Sequence, residues 1–144
     1  MKIIIDADAC PVVDITVNVA KERGIECIIV CDNTHTIERD GVTTFVVDKG
    51  ADSVDCRIAN ITTKGDVVVT QDYGLAALVL GKGGKALNQN GLIYTDSNIE
   101  NLLFTRYIGK KERMAGNRTK GPKKRTSQND ADFLKALLIC IDDC

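Results

Sequence analysis

Lys2-Ile3-Ile4-Ile5-Asp6-Ala7-Asp8-Ala9-Cys10-Pro11 is the stretch on which the reading of this chain turns. A short apolar run that ends abruptly in acids reads as a buried strand of a parallel sheet. Pro11 has the fixed φ and missing N–H that the first turn of a helix tolerates. The residues after it, Val12 to Glu22, place Val12, Ile15 and Val19 on one stripe before Arg23-Gly24 stops the helix. A strand feeding a helix through two aspartates is one half of a β-α-β unit.

The same alternation continues outward. Glu26–Cys31 and Thr43–Val47 read as strands, and Asp52 or Ser53 as the cap of a helix running toward Asn60. Val67–Thr70 is a fourth strand, and Gln71-Asp72-Tyr73-Gly74 turns into an apolar helix from Leu75 to about Leu80. Lys85–Leu87 forms a short fifth strand, and Ser97 or Asn98 opens a helix to about Tyr107. Ser127, with Asp130 three residues on, has the spacing of a cap for a last helix reaching Ile141. This rhythm implies an α/β fold, a three-layer α/β/α domain over residues 1–144 with a mostly parallel open sheet of four to five strands.

Composition agrees. A chain of 144 residues with 44% apolar residues and no Trp builds its core from Val, Ile, Leu and Ala, which suits helix-covered parallel strands. A domain this long buries roughly two thirds of its unfolded surface, so it needs neither disulfides nor a metal staple to fold. The start is too short and too acidic for a signal peptide, and no run approaches the ~20 apolar residues of a membrane span. The six cysteines show no zinc spacing: Cys27/Cys31 and Cys140/Cys144 are each separated by three residues, and the one histidine, His35, stands apart from Cys10 and Cys56. Reduced thiols and a cytoplasmic location are expected.

Charge is unevenly spread. Between Gly109 and Arg125, Lys110, Lys111, Arg113, Arg118, Lys120, Lys123, Lys124 and Arg125 face only Glu112, a surplus of seven positive charges. The remainder of a chain of net −1 therefore carries −8. The basic segment, expected as a loop over 109–127, is either a grip for a phosphate backbone or a solvated, mobile connection.

Asp6 and Asp8 close the first strand, Asp48 and Asp52 follow the third, Asp55 lies one helical step on, and Asp72 follows the fourth. Parallel strands deliver their carboxyl ends to one rim, where such folds bind ligands. Carboxylates converging there raise one another's pKa unless a cation intervenes. An all-oxygen donor set favours Mg2+ or Mn2+ over zinc. Two such ions ~4 Å apart could activate water and stabilise the leaving oxygen in phosphodiester cleavage. Against this, aspartates also cap helices and form turns, and Asp52 would serve as such a cap. Ser53, Thr70 and Gln71 are further polar rim residues able to orient water or phosphate, and the Cys10 thiol reads as a small buried filler.

The opening Asp6-Ala7-Asp8-Ala9-Cys10-Pro11 resembles that of the YaiI/YqxD family of uncharacterised bacterial proteins. So do Ala51-Asp52-Ser53-Val54-Asp55, Thr70-Gln71-Asp72, Ala86-Leu87-Asn88 with Gly91 and Tyr94-Thr95, and Gly121-Pro122. That family is in turn similar to the PIN-like and NYN nucleases, where acids at the ends of strands one and four and one on an intervening helix bind divalent metal. The resemblance implies a PIN-like fold with Asp6, Asp72 and Asp55 as ligands, supplemented by Asp8 and Asp52. Those nucleases often carry a further acid just after the strand-four position, where this chain has Tyr73-Gly74.

Three functions follow. The first is a Mg2+- or Mn2+-dependent nuclease acting on RNA, with Asp6, Asp8, Asp55 and Asp72 in the catalytic site and the basic segment gripping the strand. The second is a non-catalytic RNA- or partner-binding module with a degenerate acidic site. The third is a phosphatase in which Asp6 attacks phosphorus, Asp8 is the general acid/base and Thr70 binds phosphate. It lacks a clear Asp-Asp pair after a later strand.

Overall fold

A computed structural model describes residues 1–8, 10–48, 54–114 and 124–142, with residues 106–114 described by backbone alone. Its chain order is β1 (Lys2–Asp6), α1 (Val13–Arg23), β2 (Glu26–Asp32), β3 (Thr43–Val47), α2 (Val54–Ile61), β4 (Val67–Val69), α3 (Tyr73–Gly81), β5 (Lys85–Leu87), β6 (Ile93–Tyr94), α4 (Asp96–Met114) and α5 (Ser127–Asp142). The strands lie in the order β3-β2-β1-β4-β5-β6. β1 to β5 are mutually parallel and β6 runs antiparallel to β5. The sheet thus has the expected parallel body and one added two-residue edge strand.

Strand alternation divides the core into two layers. Ile3, Ile5, Ile29, Val67, Val69 and Leu87 point to the face covered by α1 and α5, where Val17, Ala20, Phe133 and Leu137 meet them. Ile4, Ile28, Val30, Val68 and Ala86 point the other way, against Ile58 of α2, Leu75 and Val79 of α3, and Ile99 of α4. Handedness explains the split. The crossover from β1 to β2 travels one way along the sheet, and those from β3 to β4 and β4 to β5 travel the other. Right-handed connections therefore put α1 on one face and α2 and α3 on the opposite one. The result is a three-layer α/β/α arrangement, compatible with a PIN-like fold.

Helix ends follow local chemistry. Gly24, at φ +65°, ends α1 in the left-handed region and donates its N–H to the Ala20 and Lys21 carbonyls. α4 begins with a reciprocal cap: the Thr95 N–H meets Asn98 Oδ1 at 2.9 Å, and the Asn98 N–H meets Thr95 Oγ1 at 3.1 Å. The same device opens α5, but between Thr126 and Asn129 rather than Ser127 and Asp130. Asp130 instead pairs with Arg125 at 2.7 Å. α4 also runs to Met114, well past Tyr107, so the first part of the segment expected as a basic loop is helical. Among the described residues, no helix is long and apolar enough to cross a membrane.

Candidate functional site

In this strand order the chain leaves β1 in one direction toward β2 and returns past it to β4. The gap between the carboxyl ends of β1 and β4 is therefore the topological switch point, where such sheets bind ligands. Asp6 is the last residue of β1, and Thr70-Gln71-Asp72 leaves β4 beside it. A cleft of about 500 Å³ opens there, lined by Asp6, Asp8, Val54, Asp55, Gln71, Asp72 and Tyr73.

Thr70 organises its floor. Its hydroxyl donates to Asp6 Oδ2 at 2.7 Å and accepts the Asp72 N–H at 3.0 Å. The Thr70 N–H donates to the Leu87 carbonyl, and its own carbonyl accepts the buried Tyr94 hydroxyl at 3.1 Å. Burial pushes the Tyr94 phenol upward, so it stays a donor. Asp72 caps α3, its Oδ1 accepting the N–H groups of Gly74 at 2.8 Å and Leu75 at 3.2 Å. Asp55 sits in the first turn of α2, and Asp8 in the turn after β1, its N–H directed at Asp6 Oδ1 at 3.4 Å.

The electrostatics are those of crowded acid. Burial raises the Asp6 carboxyl above the ordinary carboxylate range, and the charges of Asp8 and Asp72 add to that rise, while the bonds from Thr70 and the Asp8 N–H oppose it. A cation in the cleft would relieve this conflict, and the lining offers chiefly carboxylate oxygens, with no His or Cys among them, which suits a hard ion. Among the described residues, however, no three carboxylates form a ready-made ligand group. Such a cleft can hold a hard ion by one or two carboxylates, with water and a phosphate oxygen completing the shell.

Of the five acids expected as ligands, Asp6, Asp8, Asp55 and Asp72 line one cleft, and Asp52 lies outside the described residues, as does Ser53. Asp48, a strand-end acid not among the expected ligands, follows β3 on the same rim, but β3 lies outside β2, two strands from Asp6, and Asp48 does not line the cleft. Tyr73, ring to ring with Tyr94 at 5.9 Å, is a wall residue that the charge pattern did not single out. Its only sequence signal was its place directly after Asp72.

The basic residues divide. Lys110, Lys111 and Arg113 lie on the described backbone of α4, while Arg118, Lys120 and Lys123 fall outside the described residues. Lys124 is exposed. Arg125 is engaged within the protein: its Nε donates to Asp130 Oδ1 at 2.8 Å, and its two terminal nitrogens reach Asn90 Oδ1 at 2.9 Å and the Gln89 carbonyl at 2.8 Å. Gln89 and Asn90 follow β5, so Arg125 ties the end of the basic segment to the rim that carries Asp6 and Asp72.

Residues 4–143 match the model of the family described as "Uncharacterized BCR, YaiI/YqxD family". A UPF0178 protein of Ruminiclostridium cellulolyticum is 53% identical over 141 residues, covering 98% of this chain and 92% of its own. One from Exiguobacterium sibiricum is 55% identical over 133 residues, covering 92% and 91%. One from Clostridium acetobutylicum is 47% identical over 135 residues, covering 92% and 91%. With the motifs at Asp6–Pro11 and Thr70–Asp72 lying inside the matched span, the chain belongs to the YaiI/YqxD family.

Proposed function

We propose that the cleft at the β1/β4 switch point binds Mg2+ or Mn2+ and cleaves RNA phosphodiesters. One observation carries this reading: Thr70 holds Asp6 and the Asp72 turn together in a cleft that Asp8 and Asp55 also line. Asp6, Asp8, Asp55 and Asp72, with Asp52, are the residues that would hold the cation. When bound, it would supply charge stabilisation for the phosphodiester oxygens and lower the pKa of water.

The chain's own residues do the rest. Thr70 orients the Asp6 carboxylate through its donated proton. Gln71, on the turn between the two, offers an amide to a phosphate or water. The basic segment ends in Arg125 at the same rim, and in this reading its lysines and arginines neutralise phosphates of the bound strand, so affinity falls as salt rises. Manganese titration by calorimetry tests the reading. Binding that Asp6→Asn abolishes, together with metal-dependent RNA cleavage lost in the same variant, is the expected result. Cleavage that survives in Asp6→Asn sinks it.

A second reading, RNA binding without turnover, is favoured by Asp72. Its Oδ1 is committed to the α3 N-terminus, and Tyr73-Gly74 follows where related nucleases often carry another acid. Salt-sensitive RNA binding with no metal-dependent cleavage distinguishes it from the first.

A further inference from the structure

A second cavity, of about 570 Å³, lies on the other side of Asp8 from the acid cleft. Asp8 lines both, so the two spaces adjoin at that residue, one on the β4 side of β1 and the other on the β2 side. Their chemistry differs sharply. The first is lined by four carboxylates beside Val54, Gln71 and Tyr73, the second largely by Ala7, Cys10, Pro11, Cys31 and Ile37, with Asp32 and His35 also lining it. An apolar pocket beside a phosphate-directed acid cleft has the form of a site for the flat, uncharged part of a nucleotide.

The polar groups fit the same ligand. Asp32 Oδ1 accepts the Thr34 N–H at 2.9 Å, the Thr34 hydroxyl at 2.5 Å and the His35 N–H at 3.3 Å. This holds the loop that carries the imidazole, and it holds the Asp32 carboxyl below the ordinary carboxylate range, the Thr34 hydroxyl contributing most. All three bonds fall on one oxygen. A carboxylate so placed is an acceptor for the exocyclic amino group of a base. An imidazole on an exposed loop supplies a face on which a base can stack.

We infer that this cavity is a nucleobase subsite, which receives the base next to the phosphodiester in the acid cleft, with His35 stacking on the base and Asp32 accepting its amino group. The inference deepens the proposed nuclease reading, yet it can be tested apart from it. Adenosine carries the base and its amino group but no phosphate, so its binding needs neither metal nor the acid cleft.

The full chain is titrated with adenosine and followed by amide chemical shifts. The expected result is a saturable change in residues 31–37 and Ala7–Val12. His35→Ala should weaken binding about tenfold, the scale of one lost base–ring stack, and His35→Phe should restore it. His35 is exposed; its backbone N–H reaches Asp32 and its Nδ1 stands 3.4 Å from the Thr34 hydroxyl, which Asp32 also holds, so the loop keeps its anchor in either variant. No saturable change, changes confined to Val54–Tyr73, or equal affinity in His35→Ala would overturn the subsite. Adenosine binding here without metal binding at Asp6 would keep the subsite and remove the nuclease reading. Metal-dependent cleavage without adenosine binding would do the reverse.

Discussion

Thr70 donates its hydroxyl proton to Asp6 at 2.7 Å and accepts the N–H of Asp72 at 3.0 Å through the same oxygen. A hydroxyl has one proton to give, so both roles fix its orientation. The end of β1 and the start of α3 are thereby joined across the switch point by a single side-chain oxygen. Tyr94 fixes the Thr70 carbonyl from the core side.

Thr70→Val keeps the β-branched shape and removes only the hydroxyl. It takes the Thr70 acceptor from the Asp72 N–H and the donor from Asp6 Oδ2 in a part-buried site. The expected loss is about 1–3 kcal/mol in urea unfolding, with weaker manganese binding. Thr70→Ser should recover most of both. Unfolding and metal titration of the two variants, measured together, check this.

Asp72 has two roles that substitution can separate. Asparagine caps a helix about as well as aspartate, so Asp72→Asn should unfold within about 0.5 kcal/mol of the native chain while losing metal affinity. Asp72→Ala removes the cap as well and should cost about 1 kcal/mol more. Equal stability of the Asn and Ala variants would show that the bonds to Gly74 and Leu75 contribute little.

β1 to β4 were legible because each is rich in β-branched residues, and Asp6 and Asp72 because they close or shortly follow such runs; β5, Lys85-Ala86-Leu87, was legible only as a short segment after Gly83-Gly84. The order of the strands was not. Nothing in the periodicity of Thr43–Val47 says that β3 lies outside β2, the position that keeps Asp48 two strands from Asp6. β6 escaped because Ile93–Tyr94 is too short to carry a pattern. Its pairing comes from the Asn88 side chain, which accepts the N–H groups of Asn90 and Leu92 at 2.9 Å each. At α5 two cap spacings overlap by one residue, and the choice falls to Thr126 and Asn129 because Arg125 occupies Asp130. The second cavity has no local signature at all, since its walls come from the turn after β1, the end of β2 and the loop after β2.

Asp66, at the amino-terminal rim of the sheet, gives the chain a pH dependence remote from the site. Burial alone would raise its pKa. The Lys2 ammonium at 2.5 Å, with the N–H groups of Thr63 and Lys2 and the Thr63 hydroxyl, outweighs burial and holds it below the ordinary carboxylate range. A carboxylate depressed in the folded state adds stability above its unfolded pKa of about 3.9, and that stability is lost as pH falls through the folded value. Asp66→Ala should cost on the order of 3 kcal/mol at neutral pH, by leaving Lys2 and Thr63 unpaired. Its stability should also fall less steeply than the native chain's below about pH 4. Denaturant midpoints from pH 7 to pH 3 measure both effects, and parallel curves would remove Asp66 as the source.

Gly91 makes the sheet edge depend on one missing methyl group. At φ +87° it lies in the left-handed region, and a Cβ there would stand 2.5 Å from the Asp132 carbonyl oxygen on α5. Gly24 is also left-handed, at φ +65°, but a Cβ there meets nothing within 4 Å. Gly24→Ala should therefore cost only the backbone term, about 1 kcal/mol. Gly91→Ala must in addition push α5 away from the loop after β5, where Arg125 joins Asn90 to Asp130, and should cost at least 1–2 kcal/mol more. Thermal unfolding of the two variants makes the comparison direct. Equal losses would mean that α5 can shift at no cost, and the tie between the basic segment and the acid rim would then be loose.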